Sequence, residues 1–66
     1  MQIKYFQDTD TLLINFNNNV IHETKDINEN VLIELDENGN VVSITLEHAK
    51  MLANVNDLSY QQVTFA

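Results

Sequence analysis

Residues 31–46 (VLIELDENGNVVSITL) limit the possible folds most strongly, because two alternating apolar runs flank Asn38-Gly39. Alternation with a period of two is typical of strands, and tight hairpin turns favour Asn-Gly because both residues tolerate a positive φ. A two-residue turn there pairs apolar residues across one face: Leu35 with Val42, Ile33 with Ile44, and Val31 with Leu46. A three-residue loop would slip this register by one residue and mix apolar with polar positions, whereas a four-residue loop would keep it. The stretch therefore predicts a β-hairpin.

Three further strands are predicted before this hairpin. Residues 2–6 and 11–16 alternate, and the polar segment between them is typical of a turn. Residues 20–27 form a weaker strand with a polar middle, which suits a sheet edge, where charges discourage pairing with other chains. The run Asn17-Asn18-Asn19 predicts a tight turn between the second and third strands, because Asn tolerates the left-handed backbone conformation.

The pattern changes after Leu46. Residues 47–53 hold good helix formers and no β-branched residue, so they predict a helix of about two turns, which must pack on the sheet to be stable. The fold prediction is α+β: residues 1–54 form a small antiparallel β-meander sheet packed against one short C-terminal helix. Residues 55–66 are predicted to be a tail, either a short terminal strand or an extended segment. The residues predicted to face the helix and form the core are Leu12, Ile14, Phe16, Ile33, Leu35, Val42 and Ile44.

The composition narrows the classes of partner. The chain has 66 residues, ten Asp or Glu against three Lys, and a formal net charge of −7. A chain this short forms one domain and buries only about 60% of its unfolded surface, and without Cys it has no disulfide to support it. Three Lys side chains are too few to bind nucleic acid or an anionic membrane well. The excess of acidic residues is compatible with a basic protein partner. Since no apolar run resembles a signal peptide or reaches the ~20 residues of a membrane span, we expect a soluble cytoplasmic protein.

One candidate metal site lies inside the predicted hairpin. Asp36, Asn38, Asn40 and Glu47 stand at the offsets where a calcium loop supplies oxygen ligands. The position that a calcium loop reserves for Gly holds Val41, and the residues after it alternate as a strand. A hairpin turn rich in Asn and Asp explains this stretch better, so we predict no metal and no cofactor.

Catalytic residues are not predicted either. His22 and His48 lie in separate elements, without the helical spacing or the Cys ligands that are typical of zinc sites. Asp8 and Asp10 are more simply turn residues than a catalytic pair, and a small sheet offers little depth for a pocket. We therefore expect no enzyme activity from a single chain. The alternative is a small-ligand or metal-binding domain, or an enzyme whose site is shared between subunits.

Several short sequence patterns between residue 1 and about residue 50 occur in the same order as in one known family. They are Ile3-x-Tyr5, Asp10-x-Leu12-x-Ile14-x-Phe16, Glu23-Thr24, Ile27, Val31-Leu32-Ile33-x-Leu35-Asp36, Gly39-Asn40-Val41-Val42-x-Ile44-x-Leu46 and Glu47-x-Ala49. Together these positions resemble a small prokaryotic family catalogued as domain of unknown function 2283. Ser43 replaces the family's usual Gly, and Lys50 its usual Ser. The resemblance implies a compact antiparallel sheet with a C-terminal helix and no established catalytic site. It also implies an antitoxin- or immunity-type role, through relatives encoded beside small toxin-like proteins.

The predicted function is that of a protein–protein interaction module, antitoxin-like in neutralising a basic partner. We also predict a homodimer, with a monomer that awaits a different partner as the alternative, since a symmetric dimer is the commonest way to bury an apolar patch. The apolar residues that the predicted core leaves unexplained are Leu13, Leu32, Val41, Val63 and Phe65.

Overall fold

The computed structural model describes residues 1–64, which form one five-stranded antiparallel sheet and one helical turn. The elements in chain order are β1 (Gln2–Phe6), β2 (Thr11–Asn15), β3 (Glu23–Asn28), β4 (Val31–Leu35), β5 (Val41–Glu47) and α1 (Ala49–Leu52). Across the sheet the strands lie in the order β1-β2-β5-β4-β3. The predicted α+β class, with an antiparallel sheet and one short helix near the C-terminus, is confirmed.

The connection from β2 to β3 is a crossover, so both the predicted meander topology and the tight turn predicted at Asn17-Asn18-Asn19 are wrong. β2 pairs with β5 instead, and the chain passes the ends of β5 and β4 before it enters β3, as in a Greek key. The N–H groups of Phe16 and His22 donate to the carbonyl oxygens of Val42 and Leu35, each across 2.8 Å. The crossover is therefore fastened by backbone hydrogen bonds at both of its ends.

The predicted β4–β5 hairpin is confirmed, and most of its register holds. The predicted pairs that the structure contains are Val31 with Leu46, Leu32 with Thr45, Ile33 with Ile44, and Glu34 with Ser43. The predicted two-residue turn is wrong, however. The Asp36 N–H donates to the Asn40 carbonyl oxygen (2.9 Å), and Gly39 has a φ of 82°, which together make a three-residue loop.

A β-bulge explains why the longer loop does not spoil the face. The three-residue loop sets Leu35 opposite Val41 rather than Val42, which is the one-residue slip expected of that loop. The register then shifts between Glu34 and Leu35, so that the extra residue is absorbed and Glu34 faces Ser43. Val42, next to this irregularity, is only 2% exposed.

The start of β3 and the length of α1 differ from the predicted boundaries. β3 lies at an edge, as predicted, and all six of its residues are exposed, but it begins at Glu23 because Val20 and Ile21 belong to the crossover. α1 is one turn rather than two, because β5 continues through Glu47 and His48 adopts a left-handed conformation with a φ of 55°. Its Met51 and Leu52 are exposed, so the helix contributes only a buried Ala49.

Most of the residues that were predicted to form the core are not fully buried, so that prediction is wrong. Of the seven residues named, Val42 alone is buried, Phe16 is exposed, and the other five are half-buried. The reason is that a single helical turn is too small to cover a five-stranded sheet. Residues 54–64 form a turn at Val55-Asn56 and otherwise no regular structure, and they leave Leu58, Tyr60 and Val63 exposed.

Candidate functional site

Two apolar rows run across four strands on one side of the sheet. Their members lie opposite one another in register: Ile3, Ile14, Ile44 and Ile33 form one row, and Tyr5, Leu12, Leu46 and Val31 form the other. We call these eight residues the apolar sheet face. They share a side because residues directly opposite in antiparallel strands point the same way, and alternate residues along a strand do too.

The apolar sheet face is only partly shielded from water. Ile3 is 39% exposed, and the other seven side chains are half-buried. Across residues 1–64, the regular structure is this sheet and the single turn of α1, so no second sheet and no longer helix covers either side. β3 ends the isoleucine row with Lys25, which lies opposite Ile33 and forms an ion pair with Glu23 (3.4 Å). The face is therefore apolar and is bordered by charged residues on its β3 side.

The other side of the sheet is mixed in polarity. One row there runs through Lys4, Leu13, Thr45, Leu32 and Asp26. Leu13 and Leu32, predicted as parts of a contact patch, are thus separated by Thr45. Ser43 and Glu34 of the next row are joined by a 2.6 Å hydrogen bond from hydroxyl to carboxylate. This side is a weaker candidate surface; Phe65, also assigned to the patch, lies outside the described residues.

Asp36 anchors the hairpin loop to the crossover. Its Oδ1 accepts the backbone N–H groups of Asn38 and Asn40, each at 2.9 Å, and its Oδ2 accepts the Asn19 side-chain amide at 3.0 Å. These hydrogen bonds, first that from the Asn40 backbone, hold the pKa of the Asp36 carboxyl below its usual value, although burial opposes them. Asp36 as a residue is 7% exposed, and its carboxylate already has three donors.

The four residues of the calcium-loop pattern do not converge in the structure. Asp36, Asn38 and Asn40 lie in the hairpin loop, whereas Glu47 ends β5, on the order of 20 Å away along an extended strand. Residues 1–64 contain no cluster of three or more His, Cys, Asp or Glu side chains placed to hold a metal ion. An open groove of about 650 Å³ lies beside the loop, and it is lined by Asn, Val, His, Asp and Glu residues of the loop and the crossover.

The remaining candidate residues are separated. His22 lies beside the loop end of the hairpin, where its N–H meets Leu35, and His48 follows β5 at the opposite end, where its Nδ1 lies 2.9 Å from the Asn30 side-chain oxygen. Asp8 is exposed in the first turn. The Asp10 carboxylate accepts a hydrogen bond from the Tyr5 hydroxyl rather than facing Asp8. The structure therefore forms neither a histidine pair nor a carboxylate pair.

Asp10 instead fastens α1 to the first hairpin. Its carbonyl oxygen accepts the Ala49 N–H (3.0 Å), and its Oδ1 accepts the Lys50 N–H (3.2 Å) and the Tyr5 hydroxyl (2.6 Å). The hydrogen bond to Asp10 is the main cause that raises the pKa of Tyr5 to about 12. Local sequence gives no signal for this contact, because 40 residues separate Asp10 from Lys50.

Of the comparisons with known proteins, the one with protein families finds a match. Within residues 1–64 no helix is long and apolar enough to cross a membrane. Neither a curated protein nor a solved structure matches the chain. Residues 2–50, which hold all five strands and the start of α1, match the family described as "Protein of unknown function (DUF2283)". The chain therefore belongs to the DUF2283 family.

Proposed function

We propose that this chain is a protein–protein interaction module that binds its partner through the apolar sheet face. The observation that carries the proposal is the pair of apolar rows, eight side chains on four adjacent strands, which the chain leaves partly open to water. Soluble monomers rarely expose a contiguous apolar patch of more than a few hundred Å², and larger patches mark interaction sites.

The size of the sheet agrees with this role. Strands about 4.8 Å apart, with alternate residues ~6.8 Å apart, give the two rows on four strands a footprint of about 260 Å² before side-chain relief is counted. That footprint is aliphatic and aromatic, and the charged residues Lys25 and Glu23 border it on β3. An apolar centre with a polar rim is the common anatomy of protein interfaces.

A basic partner is the finer proposal, and the acidic side chains around β3 support it. Glu23, Asp26 and Glu29 are exposed on this edge strand and the turn after it, and the whole chain carries a net charge of −7. Complementary charge speeds encounter between proteins more than it strengthens the final complex. The acidic edge would therefore steer a basic protein to the β3 side of the sheet, beside the apolar sheet face, as an antitoxin-like role requires.

Affinity capture from an extract of the native cell tests the proposed surface with two matched variants. Ile3→Glu and Phe6→Glu both place a carboxylate on β1 at an exposed apolar residue (39% and 47% exposed), but on opposite sides of the sheet. We expect a bound protein, a second copy of the chain included, to be retained by the wild type and by Phe6→Glu and lost with Ile3→Glu. Equal capture by all three chains would refute the proposed surface.

A further inference from the structure

We infer that the occupant of the apolar sheet face is a second copy of this chain, so that two sheets stack face to face as a two-layer sandwich. This inference rests on the proposed function, because it names the partner of the same surface. The dimer would bury the two isoleucine rows against each other and leave the acidic edge strand β3 free at the side.

The chain exposes more surface than a compact monomer of its size, as expected if a second layer covers the sheet in the assembled protein. A compact monomer of 7.6 kDa exposes about 4,300 Å², whereas this chain exposes 5425 Å². The radius of gyration is 13.4 Å, against about 11 Å for a compact chain of 66 residues. The extended residues after α1 account for part of both differences. The total excess of about 1,100 Å² is therefore an upper bound on the surface that lacks a cover, and a standard interface buries ~800 Å² of each partner.

The shape of the face also favours a copy of itself. Two sheets of the same twist stack about 10 Å apart with their strands roughly 30° from parallel, so side chains of the two inner layers interdigitate. In a dimer with a two-fold axis the two stacked sheets have the same twist and the same spacing of side chains, because the same patch is used by both subunits. The branched side chains Ile14, Ile33 and Ile44 occupy adjacent strands, where they form a continuous ridge for such packing.

Electrostatics distinguish a second copy from a basic protein as the occupant of the apolar sheet face. The charges nearest the face, Lys25 and Glu23, already pair with each other at the rim, so the centre offers nothing for a cationic surface to bind. Two copies that each carry −7 repel one another through the charges around the interface. Added salt screens that repulsion, whereas it weakens the attraction between an acidic and a basic protein.

Sedimentation equilibrium on the purified full-length chain tests the inference. We expect a mass of twice the 7.6 kDa chain at micromolar concentrations, and a dissociation constant that falls at least about threefold between 50 and 500 mM NaCl as screening increases. Ile3→Glu should raise the dissociation constant more than about 100-fold, since a symmetric interface receives two unpaired carboxylates. Phe6→Glu should shift it less than about threefold, because it lies on the other side of β1.

Three results would overturn the second copy as occupant: a chain that stays at the monomer mass up to ~200 μM, a dimer that salt weakens, or equal effects of the two variants. Far-UV circular dichroism checks that each variant is folded; if Ile3→Glu is not, Ile3→Asn and Phe6→Asn replace the pair. A monomeric wild type whose extract partner is still lost with Ile3→Glu would refute the homodimer and leave the proposed interaction surface intact.

Discussion

Truncation of Val42 to Ala tests whether the small interior of this chain lies beside the bulge of the hairpin. Val42 is 2% exposed, and its neighbour Val41 is 38% exposed in the same strand, so Val41→Ala is a matched control. Removal of two buried methyl groups costs about 1.6 kcal/mol in transfer free energy, and the cavity raises the total to about 2–3 kcal/mol. The same change at Val41 should cost below about 1 kcal/mol, mainly through lost strand propensity.

The assay is thermal or urea unfolding of the three chains at one protein concentration, which removes any effect of association on the midpoint. A domain of 66 residues has about 3–10 kcal/mol of stability, so the Val42 variant should lose at least about a fifth of it. Its Tm should fall by at least about 8 °C. Equal losses for Val42→Ala and Val41→Ala would refute the placement of the interior at the bulge.

Three further predictions concern Asp36, Tyr5 and calcium. Because hydrogen bonds lower the folded-state pKa of Asp36 below its ordinary 3.8, its contribution to stability is present above that value and is lost as pH falls through the folded pKa. Asp36→Asn should therefore flatten the dependence of stability on pH below about pH 4; an unchanged acid limb in urea unfolding would contradict this. Because the pKa of Tyr5 is raised to about 12, a tyrosinate absorbance titration should show a step there that Tyr5→Phe removes. The folded state loses the corresponding stability as pH rises from about 10 to 12, and a step that survives in Tyr5→Phe would exclude the assignment. Millimolar calcium should leave the Tm unchanged, because Asp36 and Glu47 lie at opposite ends of β5; a rise of several degrees that magnesium does not reproduce would contradict this separation.

The hairpin was predictable because two signals agree in residues 31–46. The apolar alternation sets the register of Ile33 with Ile44 and Val31 with Leu46, and the Asn-Gly dipeptide places the turn. The bulge beside Val42 was not predictable, since Val41-Val42 is equally apolar in either register and the loop length depends on how Asp36 accepts backbone hydrogen bonds.

The burial of the sheet was predicted wrongly for a different reason. Alternation shows which side of a sheet is apolar, but it does not show which element covers that side. The predicted covering helix is only one turn long, because β5 pairs through Glu47 with Thr11 and the helix starts at Ala49, whose N–H donates to the Asp10 carbonyl oxygen. Both contacts join residues more than 30 positions apart, so no local pattern in residues 47–53 reveals them.

The crossover from β2 to β3 shows the same limit. Three consecutive Asn residues favour a turn, and two of them do make Asn-type side-chain contacts: Asn17 Oδ1 accepts the Asn19 N–H (3.0 Å). Asn17 also donates to the Val41 carbonyl oxygen (3.1 Å), however, which fixes the segment across the end of β5. The same residue type serves a hairpin and a crossover, so composition alone does not distinguish them.

Isotope-filtered nuclear Overhauser spectroscopy on a mixture of labelled and unlabelled chains tests the central claim most directly, because it reports which side chains touch across the interface. The apolar sheet face predicts intermolecular contacts among the methyl groups of Ile14, Ile33 and Ile44, the three isoleucines on adjacent strands. Intermolecular contacts confined to Leu13 and Leu32 on the other side of the sheet would contradict the account.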